Sequence, residues 1–394
     1  MLALALVAGL AGGYLLNTLV RLVRLVADPA SYSRTDFFAL WSYARLLLDG
    51  GATAVYDQPS LFAAQIALGR DPTGVAPLPF AYPPHFLLLI WPLGLLSHGA
   101  AYGAWIGVTL VLFLLAAGVG QRRGVPLVLA LLAAPATSVM INFGQTGFLF
   151  GALLVAGLRL AAVRPVLAGL LLGLATCKPQ LGLLVPLALA AAGLWRCFAA
   201  AAASTLVLAA VSAALFGPAI WATWLAVLPG YASGFEATRP GILHYMPTVT
   251  ASLIGLGAPP WLVVAGQGVS GLAVAGAVWL AWRRAAGADV GAGIEAVCVL
   301  LAGMPLVASH AFLYDLPATT AGLLTFAIAR PGPGRFAIAA ILLALLWPLV
   351  MFEQLMPLAL NAIPGLAAFA AIAMAVIAGP LRHGPARVVH TSSA

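Results

Sequence analysis

Residues 165–195 read PVLAGLLLGLATCKPQLGLLVPLALAAAGLW, an apolar run with a single charge, Lys178. About 20 such residues cross the hydrocarbon of a bilayer as a helix. The run is therefore long enough to enter the membrane, break near its middle and leave again. The rest of the chain has the same character. Charged residues make up 7% of its 394 positions, against roughly 25% in an average soluble protein. Apolar residues reach 63% and mean hydropathy is +1.08. A soluble globular chain is excluded. A closed β-barrel needs alternating segments of about ten residues, and the Leu/Ala/Val blocks do not alternate.

The expectation is an all-α polytopic membrane protein. After a first span at 1–20, read as uncleaved because no basic stretch precedes it, apolar segments recur at 84–97, 99–119, 125–141, 146–162, 165–177, 179–195, 198–216, 258–282, 291–308, 316–330, 336–350 and 356–378. With one non-crossing segment between 84 and 119, this gives about twelve transmembrane helices in one integral domain over 1–380. A tail follows at 381–394. Arg122, Arg123, Arg164, Arg196, Arg283, Arg284, Arg330, Arg335, Arg382 and Arg387 mark the cytoplasmic side. The +8 net charge is then read as contact with membrane lipid headgroups rather than with nucleic acid. Cys177, Cys197 and Cys298 lie far apart in apolar surroundings and read as packing residues.

Two external regions follow from this assignment, a first loop at 27–82 and a later one at 217–250. The first carries Asp28, Asp36, Asp49, Asp57 and Asp71, half of the acidic residues in the chain. Within it Phe37, Leu40, Trp41, Ala44, Leu47 and Leu48 recur at helical spacing, which predicts an amphipathic surface helix from Asp36 to Asp49, stopped by Gly50-Gly51. Tyr56-Asp57-Gln58-Pro59 opens another short element.

Ionisable groups at membrane depth cost on the order of 2.5–3.5 kcal/mol at a helix centre, so each is a functional candidate. Asp36 is either an acid placed at a helix start, with Thr35 as cap, or a general base made more basic by burial. Lys178, the one lysine in the chain, is either a snorkelling side chain or a point charge for a lipid-linked phosphate. His310, Tyr314 and Asp315 form a polar cluster between two apolar helices. They either satisfy helix ends or place an imidazole beside an acceptor or leaving group. Gln145 and Gln180 supply neutral donors at neighbouring junctions, and His244 lies in the later loop. Metal-ligand spacing, a phosphate-binding loop and a dinucleotide fingerprint are absent from the sequence, so no cofactor is indicated and dependence on a divalent metal stays open.

The order of motifs carries more than any one of them. Asp36 is followed by Leu46-Leu47-Leu48-Asp49-Gly50, Val55-Tyr56-Asp57, Tyr82-Pro83-Pro84, Trp91-Pro92-Leu93, Gly144-Gln145, Ala168-Gly169-Leu170, Ala175-Thr176, Lys178-Pro179-Gln180, Ser309-His310 and Tyr314-Asp315. This set resembles glycosyltransferase family 87, the polyprenyl-phosphate-mannose-dependent α-mannosyltransferases of the GT-C superfamily. The resemblance implies inverting transfer of mannose or a related sugar from a polyprenyl-phosphate-linked donor to a lipid or glycan acceptor. The reaction would face the periplasm or exterior of a bacterial inner membrane. By the same likeness Asp36 matches the catalytic base and His310 the histidine of a late external loop. Lys178 suits the donor phosphate, while Gln145, Gln180, Tyr82, Tyr314, Asp315 and His244 are substrate-binding candidates. Ser309 departs from the proline that commonly precedes that histidine. A transporter or flippase would show charged pairs within helices and two similar halves. An O-antigen ligase-like enzyme would lack the acid after the first span.

Overall fold

The computed structural model describes residues 35–70, 78–121, 123–288, 290–329 and 362–378, with a few isolated positions elsewhere. Most of the expected first span, the segment 336–350 and the tail 381–394 lie outside the described residues. Among those described, every regular element is helical. The α-helices of seven or more residues are α1 Asp36–Gly50, α2 Gln58–Ala67, α3 His98–Gly118, α4 Gly124–Leu132, α5 Pro135–Phe143, α6 Gly147–Leu160, α7 Pro165–Ala175, α8 Val185–Ala191, α9 Trp195–Phe216, α10 Ala219–Ile242, α11 Val249–Gly255, α12 Pro260–Ala285, α13 Val290–Val307, α14 Leu316–Ala329 and α15 Ile363–Ile377. Starts follow local chemistry. Asp57 accepts from Ser60 N at 3.1 Å to cap α2, Thr248 caps α11 through Ala251 N at 3.2 Å, and Pro135, Pro165 and Pro260 occupy first-turn positions where no amide is needed.

Three helices, α3, α9 and α12, are long and apolar enough to cross a membrane, or four if the bent pair α4–α5 is one span. The remaining apolar helices are shorter. The chain is thus a helical membrane protein built partly from short and broken segments.

Contacts between helix ends sort the bundle into two poles. At one pole α3 begins beside α1, with the Phe37 and Tyr102 rings 5.2 Å apart; α6 begins after Thr146, α7 ends before Lys178 and α14 begins after Asp315. The opposite pole carries arginines. Arg159 donates to the carbonyls of Ala116, Ala117 and Val119, closing the end of α3, and Arg123 reaches the Ile328 carbonyl at 3.3 Å in the last turn of α14. Cations there meet the carbonyl ends of helices, where the macrodipole favours them.

The segment Pro84–Leu95 folds back beside α1. It leaves Tyr82 as short helical turns and comes back against α1, where Trp41 Nε1 donates to the Leu96 carbonyl at 3.0 Å and Arg45 Nη1 to that of Gly94 at 2.9 Å. It begins and ends at the same pole.

Two expectations change. Helix α1 forms, but Phe37, Phe38, Ala39 and Leu40 are consecutive and all buried by protein, so its first turns are enclosed rather than laid on one apolar stripe. His98 explains part of this, its ring lying within 5.3–5.5 Å of Phe37, Phe38 and Trp41. The later loop at 217–250 is also mostly helix, α10. Its Ile220, Trp221, Trp224 and Val227 recur at helical spacing and pack on the core, and Trp224 Nε1 donates to Ala81 at 3.3 Å.

Helices α7 and α9 pack through glycines. A Cβ on Gly169 would lie 2.4 Å from that of Ala200, and one on Gly173 would lie 2.4 Å from that of Ser204. Overpacking such a contact costs about 1–3 kcal/mol or more. Gly169→Val is expected to lower the melting temperature of the purified protein, and an unchanged melting curve would contradict this packing.

Candidate active site

Asp36 is the first residue of α1. Thr35 takes the N-cap position with extended backbone and makes no side-chain cap. The Asp36 carboxylate is gripped from a distant part of the chain: Oδ2 accepts from Gln145 Nε2 at 3.0 Å. Gln145 is held there by its neighbours. Gly144 ends α5 with φ of 69°, and a Cβ on it would lie 2.4 Å from that of Phe37, so both backbone conformation and close approach require glycine. The Gln145 carbonyl accepts from Trp105 Nε1 at 3.0 Å. Asp36 keeps some accessible surface, yet protein encloses most of its carboxyl. That burial raises its pKa above the ordinary carboxylate value, against opposition from the Gln145 hydrogen bond and the positive charges of Arg70 and Lys178.

Lys178 follows α7, just before the turn Pro179–Leu181. It is 4% exposed, so the snorkelling alternative is set aside. Its Nζ lies 2.5 Å from Asp315 Oδ1, 3.4 Å from Thr146 Oγ1 and 5.0 Å from the centre of the Tyr314 ring. Asp315 is also fixed, its Oδ2 accepting from Phe312 N at 3.1 Å within the turn Leu313–Asp315. Both of its oxygens are engaged by protein, which makes Asp315 the counter-ion of Lys178. The approach is tight: a Cβ on Gly147 would sit 1.8 Å from the Tyr314 carbonyl.

Tyr82 Oη lies 3.5 Å from Thr146 Oγ1, linking the first loop to the lysine. The Tyr314 ring stacks on Phe312 at 5.0 Å and lies 6.0 Å from Phe143, which in turn meets Tyr245 at 5.9 Å. The structure therefore draws Asp36, Gln145, Tyr82, Lys178, Tyr314 and Asp315 to one pole. His310 stands exposed in the preceding turn, its Nδ1 2.6 Å from Ser309 Oγ. His244 and Gln180 are half-buried, and among the described residues no hydrogen bond joins either to this cluster.

Thr146 and Arg70 were not singled out from the sequence. Thr146 sits next to Gln145 and had no spacing of its own to mark it. Arg70 is 2% exposed, and its one outward sign is the Gly69-Arg70 pair closing a helix in the acid-bearing loop. Among the described residues no group of three or more His, Cys, Asp or Glu side chains is placed to hold a metal ion.

Breaking a buried ion pair by removing one partner costs about 3–5 kcal/mol, whereas removing both charges together costs much less. Lys178→Met is expected to destabilise the protein strongly, and Lys178→Met with Asp315→Asn to recover part of the loss. Thermal melting in detergent checks both; equal melting of the single and double variants would contradict the pairing.

Comparison with known proteins bears on what this pole does. The model of glycosyltransferase family 87 matches residues 80–309, more than half of the chain. The match spans Tyr82, Gln145, Lys178, Gln180 and His244; Asp36 precedes it and His310, Tyr314 and Asp315 follow it. No curated protein and no solved structure matches. The chain belongs to glycosyltransferase family 87.

Proposed function

We propose that this membrane glycosyltransferase moves mannose or a related sugar, with inversion, from a polyprenyl-phosphate donor to a lipid or glycan acceptor, with Asp36 as general base. The supporting observation is the grip of Gln145 on a buried Asp36 carboxylate at the pole that also holds Lys178. The reaction needs a base at the acceptor hydroxyl and positive charge at the departing phosphate. Asp36 supplies the first. Lys178 supplies the second, aided by the N-terminal ends of α6 and α14, which flank it and favour anions.

Bond changes balance without a cofactor. The acceptor oxygen attacks the anomeric carbon from the face opposite the phosphate, its proton passes to an Asp36 oxygen, and the anomeric carbon–oxygen bond breaks with its electron pair leaving on the polyprenyl phosphate. In-line attack inverts the anomeric centre. Tyr82, Gln145 and Tyr314 line the approach, while exposed His310 lies where an incoming acceptor or the phosphate would meet it. In this reading the shorter apolar helices complete about twelve spans. The arginine pole faces the cytoplasm and the Asp36 pole faces the periplasm or exterior of a bacterial inner membrane.

Purified protein in lipid, given radiolabelled polyprenyl-phosphate-mannose, is expected to yield a glycosidic product by mass analysis. Asp36→Asn is expected to lower its rate by about 10²–10⁴-fold, the usual contribution of a positioned acid or base. Turnover of a nucleotide sugar instead, transport without product, or an active Asp36→Asn variant overturns the reading.

The pH dependence has a definite sign. A base must be ionised, and burial raises the Asp36 pKa. The rate is therefore present above that raised value and lost as pH falls through it, so the acid limb lies above the value of about 3.9 for a free aspartate. A limb at or below the free value would contradict the assignment.

A further inference from the structure

His85 lies in the first turn, Pro84–Phe86, of the segment that folds back beside α1, and it is 3% exposed. Pro83 and Pro84 fix the backbone there, and Phe86 N closes the turn on the Pro83 carbonyl at 2.9 Å. The imidazole is thereby set against the end of α7, with Nε2 3.3 Å from Thr176 Oγ1. The Thr176 hydroxyl directs its own proton to the Gly173 carbonyl at 2.5 Å, so Nε2 carries a hydrogen and donates it. Behind the ring stands Trp221 of α10, stacked at 5.6 Å and 10°, its Nε1 anchored to Ser212 Oγ of α9 at 3.1 Å. The other ring nitrogen, Nδ1, is buried and has no hydrogen-bond partner among the described residues.

A buried ring with one nitrogen unmet carries a cost in free energy that leucine or phenylalanine in its place would not. Packing alone therefore does not account for a histidine here. What it holds is the end of α7, two residues before Lys178. That stretch has little else to steady it. Ala175, Thr176, Pro179 and Gly182 border an apolar cavity of about 330 Å³ between α6, α7, α8 and α9, and a wall facing a cavity lacks partner atoms on that side. Pro179 adds no amide of its own. The lysine Nζ must nonetheless arrive at Asp315 and Thr146. Its surroundings meet the folded-back segment a second time, through Tyr82 Oη at 3.5 Å from Thr146 Oγ1. Tyr82 and His85 thus bracket the lysine, one near its tip and the other near its root.

We propose that His85 is a positioning residue for Lys178. Through Thr176 it holds the turn from which the lysine departs, and so keeps the ammonium on Asp315 and Thr146, where a departing phosphate would meet it. The consequence for phosphate rests on the reading of Lys178 in the reaction above; the hold itself does not. His85 transfers no proton in this role and touches no substrate. It needs only a fixed N–H at the Nε2 position, which the side-chain amide of glutamine can place at nearly the same point and leucine cannot.

The decisive measurement needs no turnover. Lys178 is the one lysine in the chain, so an amine-reactive reagent reports on it alone once peptide masses separate it from the chain's terminal amine. The full chain in detergent is labelled as wild type, His85→Leu, His85→Gln and Thr176→Val. Lys178 is expected to label slowly in wild type and His85→Gln, and about tenfold faster in His85→Leu and Thr176→Val, the worth of one hydrogen bond. In the sugar-transfer assay kcat/KM for the donor falls by the same order in His85→Leu and Thr176→Val and is kept in His85→Gln. Thr176→Val leaves the imidazole and its stack on Trp221 in place, so it decides even where His85→Leu does not fold. Unchanged labelling in Thr176→Val, or labelling of His85→Gln as fast as Thr176→Val, overturns the proposal. Absence of sugar transfer by wild type would sink the function above, while labelling still tests the hold of His85 on Lys178.

Discussion

An ammonium withdrawn from water into an apolar bundle must be met by an anion, and the meeting of Lys178 with Asp315 organises the site pole of this protein. The pair joins the end of α7 to the start of α14, and Thr146 brings the start of α6 to the same point. Each of these termini is a break in an apolar run. The short helices follow from that requirement, since a straight span through Lys178 would leave its charge in hydrocarbon. The broken segment quoted at the outset is thus the price of placing a cation at this depth.

Around the pair the site is made from unlike parts. The first loop contributes Asp36 and Tyr82, the α5–α6 junction Gln145 and Thr146, and the turn before α14 contributes Tyr314 and Asp315. Glycines at 144 and 147 let the junction lie directly against Phe37 and the Tyr314 backbone. The family match begins at residue 80, so it covers the cationic side of this assembly and not the acid. The carboxylate is tied to the matched region by its bond to Gln145.

Much of this was legible before any coordinates. Low charge and long apolar runs gave a helical membrane protein, because hydrocarbon tolerates no unsatisfied backbone. Gathering the polar junctions at one pole followed from the arginines at the other. The enclosure of α1 was not legible, since Phe37–Leu40 look like one stripe plus neighbours until His98 and Tyr102 are seen to cover the remaining side. Nor was α10, whose prolines and glycines read as a connection while its tryptophans pack as a helix. Asp315 as the counter-ion of Lys178 depends on long-range closure. No local spacing encodes a contact across 137 positions.

That same separation has a bearing on biosynthesis. Chains lengthen at about 5–20 residues per second, so Lys178 emerges on the order of ten seconds or more before Asp315 exists. During that interval a nascent chain carries a cation with no counter-ion of its own, and α7 has reason to linger near the headgroups or an insertion chaperone. The Lys178–Asp315 contact can close only once the turn before α14 has been made, so assembly of this pole waits for the last part of the chain.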